Sequence, residues 1–214
     1  GLRPVPRAVP QGRAGRIREG GIVMESRNIM IVGVGGQGTL LASRIMGRVF
    51  LKKGYDVKVS EVHGMSQRGG SVVTYVRYGS CVASAVVDKG EADMIISFEK
   101  LEAARYAPYL KKGGRIIVNT QEIDPMPVIT GAAQYPSEIL GELSEKGVSV
   151  DAFDALSLAE KAGSIKAVNI VLMGLFAKYV GIPEEKWISA IEDTVAERFI
   201  EMNKKAFDLG YGKK

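Results

Sequence analysis

Residues 29–39 read Ile29-Met30-Ile31-Val32-Gly33-Val34-Gly35-Gly36-Gln37-Gly38-Thr39. The apolar run predicts a buried β-strand, the glycines predict a tight turn, and the residues from Thr39 onward predict a helix. Glycine lets the backbone turn sharply and approach a ligand, and the first N–H groups of the helix can bind an anion. The spacing Gly33-x-Gly35-x-x-Gly38 fits the dinucleotide-binding pattern. A strand-to-helix turn without a ligand is the alternative.

A second loop has an unusual sequence: Glu61-Val62-His63-Gly64-Met65-Ser66-Gln67-Arg68-Gly69-Gly70-Ser71. It follows the second predicted strand, so we expect its start at the same carboxyl edge of the sheet as the first glycine turn. Arg68 can pair with a phosphate or carboxylate through two N–H bonds. Ser66 and Gln67 can add neutral hydrogen bonds.

Two titratable side chains belong to this second loop. Glu61 could bond a ribose hydroxyl, as the acidic residue of a dinucleotide site does, but we favour an ordinary strand-end carboxylate. His63 is the single histidine, and we interpret it as a structural loop residue, with a catalytic base as the alternative. One histidine and one cysteine at unrelated positions do not form a metal site.

The composition favours one globular domain. The chain has 214 residues, of which 46% are hydrophobic and 25% charged, and no apolar run is long enough to span a bilayer. Its one cysteine, Cys81, excludes an intrachain disulfide and a cluster held by four thiolates of this chain. With no secretory signal in the sequence, we expect a cytoplasmic location.

Residues 1–23 differ from the rest of the chain. They carry five arginines and one glutamate, and so hold four of the five net positive charges. We therefore expect no nucleic-acid surface on the folded body. Their Pro-, Gly- and Arg-rich composition predicts a disordered extension, with the natural start at Met24 and a single domain over residues 24–214. A short basic interaction arm is the alternative.

From Ser26 onward, apolar strands alternate with amphipathic helices, which predicts an α/β fold with a doubly wound, mostly parallel, Rossmann-like sheet. Strands are expected near residues 28–34, 56–61, 72–78, 82–87, 94–97, 115–119 and 148–151. Helices are expected near residues 39–53, 99–107, 136–145, 155–162, 166–180, 184–194 and 197–209, so the C-terminal third is helical. The runs 72–78 and 82–87 meet at Gly79-Ser80, which predicts a β-hairpin insertion.

Four motifs in order resemble the gamma-type subunit of 2-oxoacid:ferredoxin oxidoreductases. They are Gly33–Gly38, His63–Ser71, Gly90-Glu-Ala-Asp93, and Lys112-Gly-Gly114 before a strand that ends at Asn119. The stretch from Ser66 to Val72 is most similar to the beta subunits of indolepyruvate:ferredoxin oxidoreductases. The resemblance covers about residues 26–205.

The resemblance implies a multi-subunit enzyme that converts an aryl pyruvate to an acyl-CoA and passes electrons to ferredoxin. Thiamine diphosphate, magnesium and iron–sulfur clusters would lie on a larger catalytic subunit, and this chain would have no catalytic residue or metal site. It would help to bind coenzyme A and pack against that subunit. The expected coenzyme A site combines both loops: Gly33, Gly35, Gly36, Gln37, Gly38, Thr39, Ser66, Gln67, Arg68 and Gly69.

Three other functions stay open at this stage. The chain could serve an enzyme for pyruvate, 2-oxoisovalerate or 2-oxoglutarate. It could be a free-standing NAD(P)-dependent dehydrogenase, although no proton-relay pair such as Tyr-x-x-x-Lys is evident. It could also be a nucleotide-binding regulatory module. The two loops could serve subunit docking instead of ligand binding.

Overall fold

The computed structural model describes residues 26–63 and 70–213, without the side chain of His63. The predictions for residues 1–23 lie outside these ranges. The strands are β1 Arg27–Val34, β2 Asp56–His63, β3 Ser71–Gly79, β4 Ala92–Ser97, β5 Leu110–Asn119 and β6 Ser149–Phe153. The helices are α1 Thr39–Lys52, α2 Lys100–Tyr106, α3 Met126–Ile129, α4 Ile139–Glu145, α5 Ala155–Ala162, α6 Val168–Val180, α7 Glu184–Glu192 and α8 Ile200–Tyr211.

The six described strands form one sheet in the order β2-β3-β1-β4-β5-β6. Strands β1, β4, β5 and β6 are parallel, while β3 is antiparallel to both β1 and β2. Because β3 is antiparallel to both of its neighbours, β2 runs in the same direction as β1. The predicted fold class is confirmed, and both glycine-rich loops begin at the carboxyl edge of the sheet.

The predicted position of the hairpin is wrong. Strand β3 pairs with β2, from Asp56 opposite Gly79 to His63 opposite Val72, and residues 82–87 form no strand. Val82 and Val87 are nevertheless buried, so their apolar character reports packing and not strand pairing. The N–H of Val82 donates to the Asp56 carboxylate over 2.8 Å. This backbone N–H therefore has a hydrogen-bond partner although it pairs with no strand.

Alternate residues of the central strands supply two hydrophobic cores, one on each face of the sheet. Ile29 and Ile31 face helices α1 and α5 to α8, whereas Met30 and Val32 face α2 and α4. Helix α6 is buried from Val168 to Ala177. It lies between the sheet and α8, which explains its nearly continuous apolar sequence.

Helices α6 and α8 touch through their backbones. A Cβ built on Gly210 would lie 1.9 Å from the carbonyl oxygen of Val171, and one on Gly174 would lie 2.2 Å from the carbonyl oxygen of Phe207. Such distances leave no space for any side chain. The two glycines therefore fix the separation of the helices.

The third resembling motif, Gly90–Asp93, lies at the amino edge of the sheet, away from the two loops. Asp93 is 7% exposed and accepts bonds from the Asn28 N–H at 2.7 Å and from Arg27 Nη1 at 3.0 Å. Lys111 also pairs with it. Its carboxylate joins the first residues of β1 to β4 and β5, so this motif supports the fold.

Candidate functional site

The two glycine-rich loops meet at the carboxyl edge. The N–H of Gly35 donates to the carbonyl of Gly70 over 2.9 Å, just beyond the pairing of Val34 with Ser71. A cleft of about 520 Å³ opens there. It is lined by Gly35, Gly36, Gly38, Thr39, Leu40, Glu61 and Val72. Four of the predicted site residues, Gly35, Gly36, Gly38 and Thr39, thus share one cleft.

The glycine turn has a conformation that other residues adopt only with strain. Gly36 has φ +101° and Gly38 has φ +85°, in the region that favours glycine. A Cβ on Gly36 would have nothing within 4 Å, so this backbone is open to a ligand. At Gly33, a Cβ would lie 2.6 Å from Gln37 Oε1, so a side chain there would displace Gln37 from the turn.

Gln37 points back into the turn. Its Oε1 accepts the Val34 N–H at 2.7 Å, and its Nε2 donates to the Phe98 carbonyl at 3.3 Å. Asn119 Nδ2 donates to the same carbonyl at 3.1 Å. Gln37 therefore connects the glycine turn to the end of β4. The oxygen and the nitrogen of its side-chain amide are both bonded to backbone groups of this chain.

The N-terminus of α1 carries free donors. Gly38 is its N-cap, with no side-chain capping bond, and the N–H groups of Thr39 and Leu40 have no partner among the described residues. The first turn contains no acidic residue. Such a helix end favours an anion, since its unpaired N–H groups and its dipole act in the same direction.

The neighbouring helix α2 is capped by the protein. Glu99, 1% exposed, accepts the Glu102 N–H at 2.9 Å and a bond from the Tyr135 hydroxyl. That hydroxyl in turn accepts the Leu101 N–H at 3.1 Å. Burial and the bond to Glu99 raise the pKa of Tyr135 above its ordinary value. Helix α5 is capped similarly by Asp154, so α1 differs from both of these helices in having no side-chain cap.

Asn169, on α6, bonds the backbone of the glycine turn. This role was not predicted from the sequence. Asn169 is 2% exposed, and its Nδ2 donates to the Gly38 carbonyl over 3.1 Å. The available signal was one polar residue within the apolar run of α6. A Cβ on Gly38 would lie 2.8 Å from this Nδ2, so the contact requires glycine there.

Glu61 lines the cleft beside the start of α1. The hydroxyl of Thr39, itself 5% exposed, donates to Glu61 Oε1 over 3.2 Å. This bond joins the start of α1 to the end of β2. A carboxylate here attracts hydroxyl or amide donors and repels phosphate. Because it reaches Thr39 at the start of α1, it partly offsets the attraction of that helix end for an anion.

Ser66, Gln67, Arg68 and Gly69 lie outside the described residues, so their predicted roles stay predictions. The strand that follows them is firmly held. Ser71 Oγ donates to the carboxylate of Glu102, which is 4% exposed. This contact fixes the start of β3 against α2.

The described ranges contain no group of three or more His, Cys, Asp and Glu residues that could hold a metal ion. Cys81 is an exposed free thiol. None of the helices in those ranges has the length and apolar character needed to cross a bilayer.

Fold and cleft together define the class of this protein: a Rossmann-like α/β domain whose first strand leads through a glycine turn into an uncapped helix. The family model described as pyruvate ferredoxin/flavodoxin oxidoreductase (POR) matches residues 28–213, and the chain belongs to this family. The family predicted from the four motifs is confirmed.

Named relatives refine the comparison. The indolepyruvate oxidoreductase subunit IorB of Thermococcus kodakarensis is 46% identical over 192 residues, which cover 87% of this chain and 95% of the relative. The common gamma subunit of pyruvate/ketoisovalerate oxidoreductases from the same organism is 26% identical over 184 residues, or 85% of this chain and 93% of the relative. The chain is therefore more similar to the indolepyruvate oxidoreductase subunit.

Solved structures share the fold. The gamma subunit of a keto/oxoacid ferredoxin oxidoreductase from Geobacter sulfurreducens has a TM-score of 0.65 at 24% identity, covering 86% of this chain and 96% of that chain. The 2-oxoglutarate:ferredoxin oxidoreductase of Magnetococcus marinus, with 2-oxoglutarate, coenzyme A and succinyl-CoA bound, has a TM-score of 0.69 at 20% identity. That match covers 87% of this chain and 30% of the other.

Proposed function

We propose that this chain is the small subunit of an indolepyruvate:ferredoxin oxidoreductase and that its glycine cleft binds a phosphate of coenzyme A. The observation that carries the site is the uncapped N-terminus of α1, directly after a glycine turn that is open at Gly36. A backbone of this kind can surround a phosphate without side-chain obstruction. A structural neighbour with coenzyme A bound supports this choice of ligand.

The similarity of the sequence supports indolepyruvate as the substrate of the assembly. The IorB relative is 46% identical, against 26% for the pyruvate/ketoisovalerate gamma subunit. The assembly would decarboxylate the 2-oxoacid oxidatively, form an acyl-CoA and pass two electrons to ferredoxin. Turnover of the purified assembly with indolepyruvate, pyruvate, 2-oxoisovalerate and 2-oxoglutarate tests this, and a preference for pyruvate would reassign the substrate.

The proposed division of labour follows from what this chain can bind. A four-thiolate cluster needs more than Cys81, so the clusters are assigned to the larger subunit. Thiamine diphosphate and magnesium are assigned there because the family resemblance implies it. The role left for this chain is to hold and orient coenzyme A. A ferredoxin-dependent assembly with one cysteine here fits the reducing cytoplasm.

Within the cleft, we assign the phosphate to Gly35, Gly36, Gly38 and the N–H groups of Thr39 and Leu40. Gly33 and Gln37 shape the turn through the contacts described above. We assign Arg68, with Ser66, Gln67 and Gly69, to the same ligand. The bond from Gly35 to Gly70 supports this assignment, because it places the end of the second loop beside the first.

The test is a charge placed on the glycine turn of the assembled enzyme. Gly36→Asp and Gly36→Asn are nearly equal in size and share any backbone strain, but only aspartate repels a phosphate. We expect the KM for coenzyme A to be about tenfold or more higher for the aspartate variant, with the KM for the 2-oxoacid unchanged. Gly147→Asp is the matched control, since Gly147 also has a positive φ and open space around it.

Two results would refute the site. Equal coenzyme A dependence for Gly36→Asp and Gly36→Asn would show that no anion binds there. A loss of complex yield with normal coenzyme A dependence in the surviving complex would assign the loop to subunit docking. Arg68→Ala is also expected to raise the KM for coenzyme A by about tenfold or more, because a charge-assisted contact contributes about 1.5–3 kcal/mol.

A further inference from the structure

An apolar groove runs along the exposed side of α1, between β2 and the end of α7. It has a volume of about 470 Å³. Three of the side chains that line it, Leu40, Leu51 and Val59, are large and apolar, and they are 40%, 61% and 44% exposed. Gly47 lies midway along the helix and leaves the groove clear of a side chain. We call this surface the α1 groove.

The α1 groove lies beside one edge of the sheet formed by the described strands. Strand β2 is the last strand on this side and is eight residues long. The opposite edge strand, β6, has five residues and carries Asp151, which bonds Arg115 at 2.7 Å and the Tyr179 hydroxyl at 2.9 Å. A long edge strand beside exposed apolar side chains is an association surface.

The rim of the groove is positively charged. Arg44, Arg48 and Lys52 follow one another at helical spacing along α1 and line the groove with Asp193. Arg48 bonds the Asp193 carbonyl and Lys52 pairs with its carboxylate. Arg44 has no hydrogen bond or ion pair to any residue that the structure describes. Three cations against one carboxylate favour an occupant with acidic and apolar side chains.

The groove is continuous with the glycine cleft, because Leu40 lines both. An occupant of the groove would therefore lie next to the proposed ligand site. The chemistry on coenzyme A takes place on the larger subunit under the proposed function, so that subunit must approach this cleft. A second copy of this chain would bring no catalytic group there.

We infer that the α1 groove binds an acidic, apolar segment of the larger catalytic subunit and thereby brings that subunit to the glycine cleft. The inference rests on the proposed function for the identity of the occupant. The apolar floor gives affinity, while the cationic rim selects and orients the partner.

The test uses co-expression of the full chain with the large subunit from the same source. Leu51→Glu adds a charge at a position already 61% exposed, and Arg44→Glu reverses the unpaired cation. Val86→Glu is the matched control, since Val86 is 52% exposed and does not line the groove. We expect both groove variants to bind the large subunit at least tenfold more weakly, while Val86→Glu binds normally. All three isolated chains should keep the wild-type thermal midpoint.

Other occupants give other results, and each would overturn the inference. If the wild-type chain alone sediments as a dimer that Leu51→Glu dissociates, the occupant is a second copy. If Leu51→Glu lowers the thermal midpoint of the isolated chain, its own residues cover the groove. Equal partner binding by the groove variants and Val86→Glu excludes docking there. A normal coenzyme A response of Gly36→Asp, with partner binding lost in Leu51→Glu, would refute the cofactor assignment alone.

Discussion

The contact between Gly38 and Asn169 allows a quantitative test of how the glycine turn is held. Alanine at position 38 must keep φ near +85°, which costs about 1–2 kcal/mol for a residue with a Cβ. Its Cβ would also displace the Asn169 amide, 2.8 Å away, and break the 3.1 Å bond to the Gly38 carbonyl. That lost bond adds about 1 kcal/mol. We therefore expect Gly38→Ala to destabilise the wild-type chain by about 2–3 kcal/mol.

Removing Asn169 separates the two contributions. In an Asn169→Ala background the amide is gone, so Gly38→Ala should cost only the backbone strain of about 1–2 kcal/mol. The coupling energy between the two positions is then about 1 kcal/mol, within the range for residues in contact. Urea unfolding of the four proteins, with the slope m compared between them, measures each free energy of unfolding.

Equal costs of Gly38→Ala in both backgrounds would refute the reasoning about Asn169. A cost near zero in the wild-type background would refute the assigned backbone conformation itself. Either result would show that α6 does not support the turn.

Three further expectations concern the rest of the fold. Burial raises the pKa of Tyr78 to about 12 from 10.0, so its contribution to stability is complete below pH 10 and is lost as pH rises towards 12. Tyr78→Phe should remove about 2 kcal/mol of that loss by pH 12, measured by urea unfolding at pH 9 to 12. Gly210→Ala should destabilise by at least about 3 kcal/mol, because the new Cβ meets the Val171 backbone, whereas Gly141→Ala in α4 should stabilise by up to about 1 kcal/mol; thermal midpoints compare the two. Glu99→Gln should cost about 2 kcal/mol in urea unfolding, because an amide N–H₂ would replace an oxygen that accepts hydrogen bonds.

The sequence predicts those parts of the fold that depend on local pattern. The apolar run before Gly33 predicts β1, and the glycine spacing predicts the turn and α1. The partner of β3 could not be predicted in the same way, because residues 56–61 and 82–87 have similar apolar patterns. The actual pairing depends on which backbone lies alongside β3, and residues 82–87 instead pack as an irregular segment.

The site was predictable only in part for a similar reason. The glycines could be read from their spacing, since positive φ angles and a following helix are local properties. Asn169 could not, because it contacts a residue 131 positions earlier in the chain. The inward direction of Gln37 also escaped prediction, since its acceptor at Phe98 lies 61 positions later, just after β4.

The backbone contact between α6 and α8 has a mechanical consequence for the glycine turn. Where helices meet through side chains, rotamer changes allow small sliding movements, but Gly174 and Gly210 leave no side chain that could rearrange. The helix that carries Asn169 is therefore a stiff support, and the Gly38 carbonyl is fixed to it. A ligand or a docked partner that displaces the turn would therefore move α6 and α8 together, because their interface cannot adjust by side-chain movement.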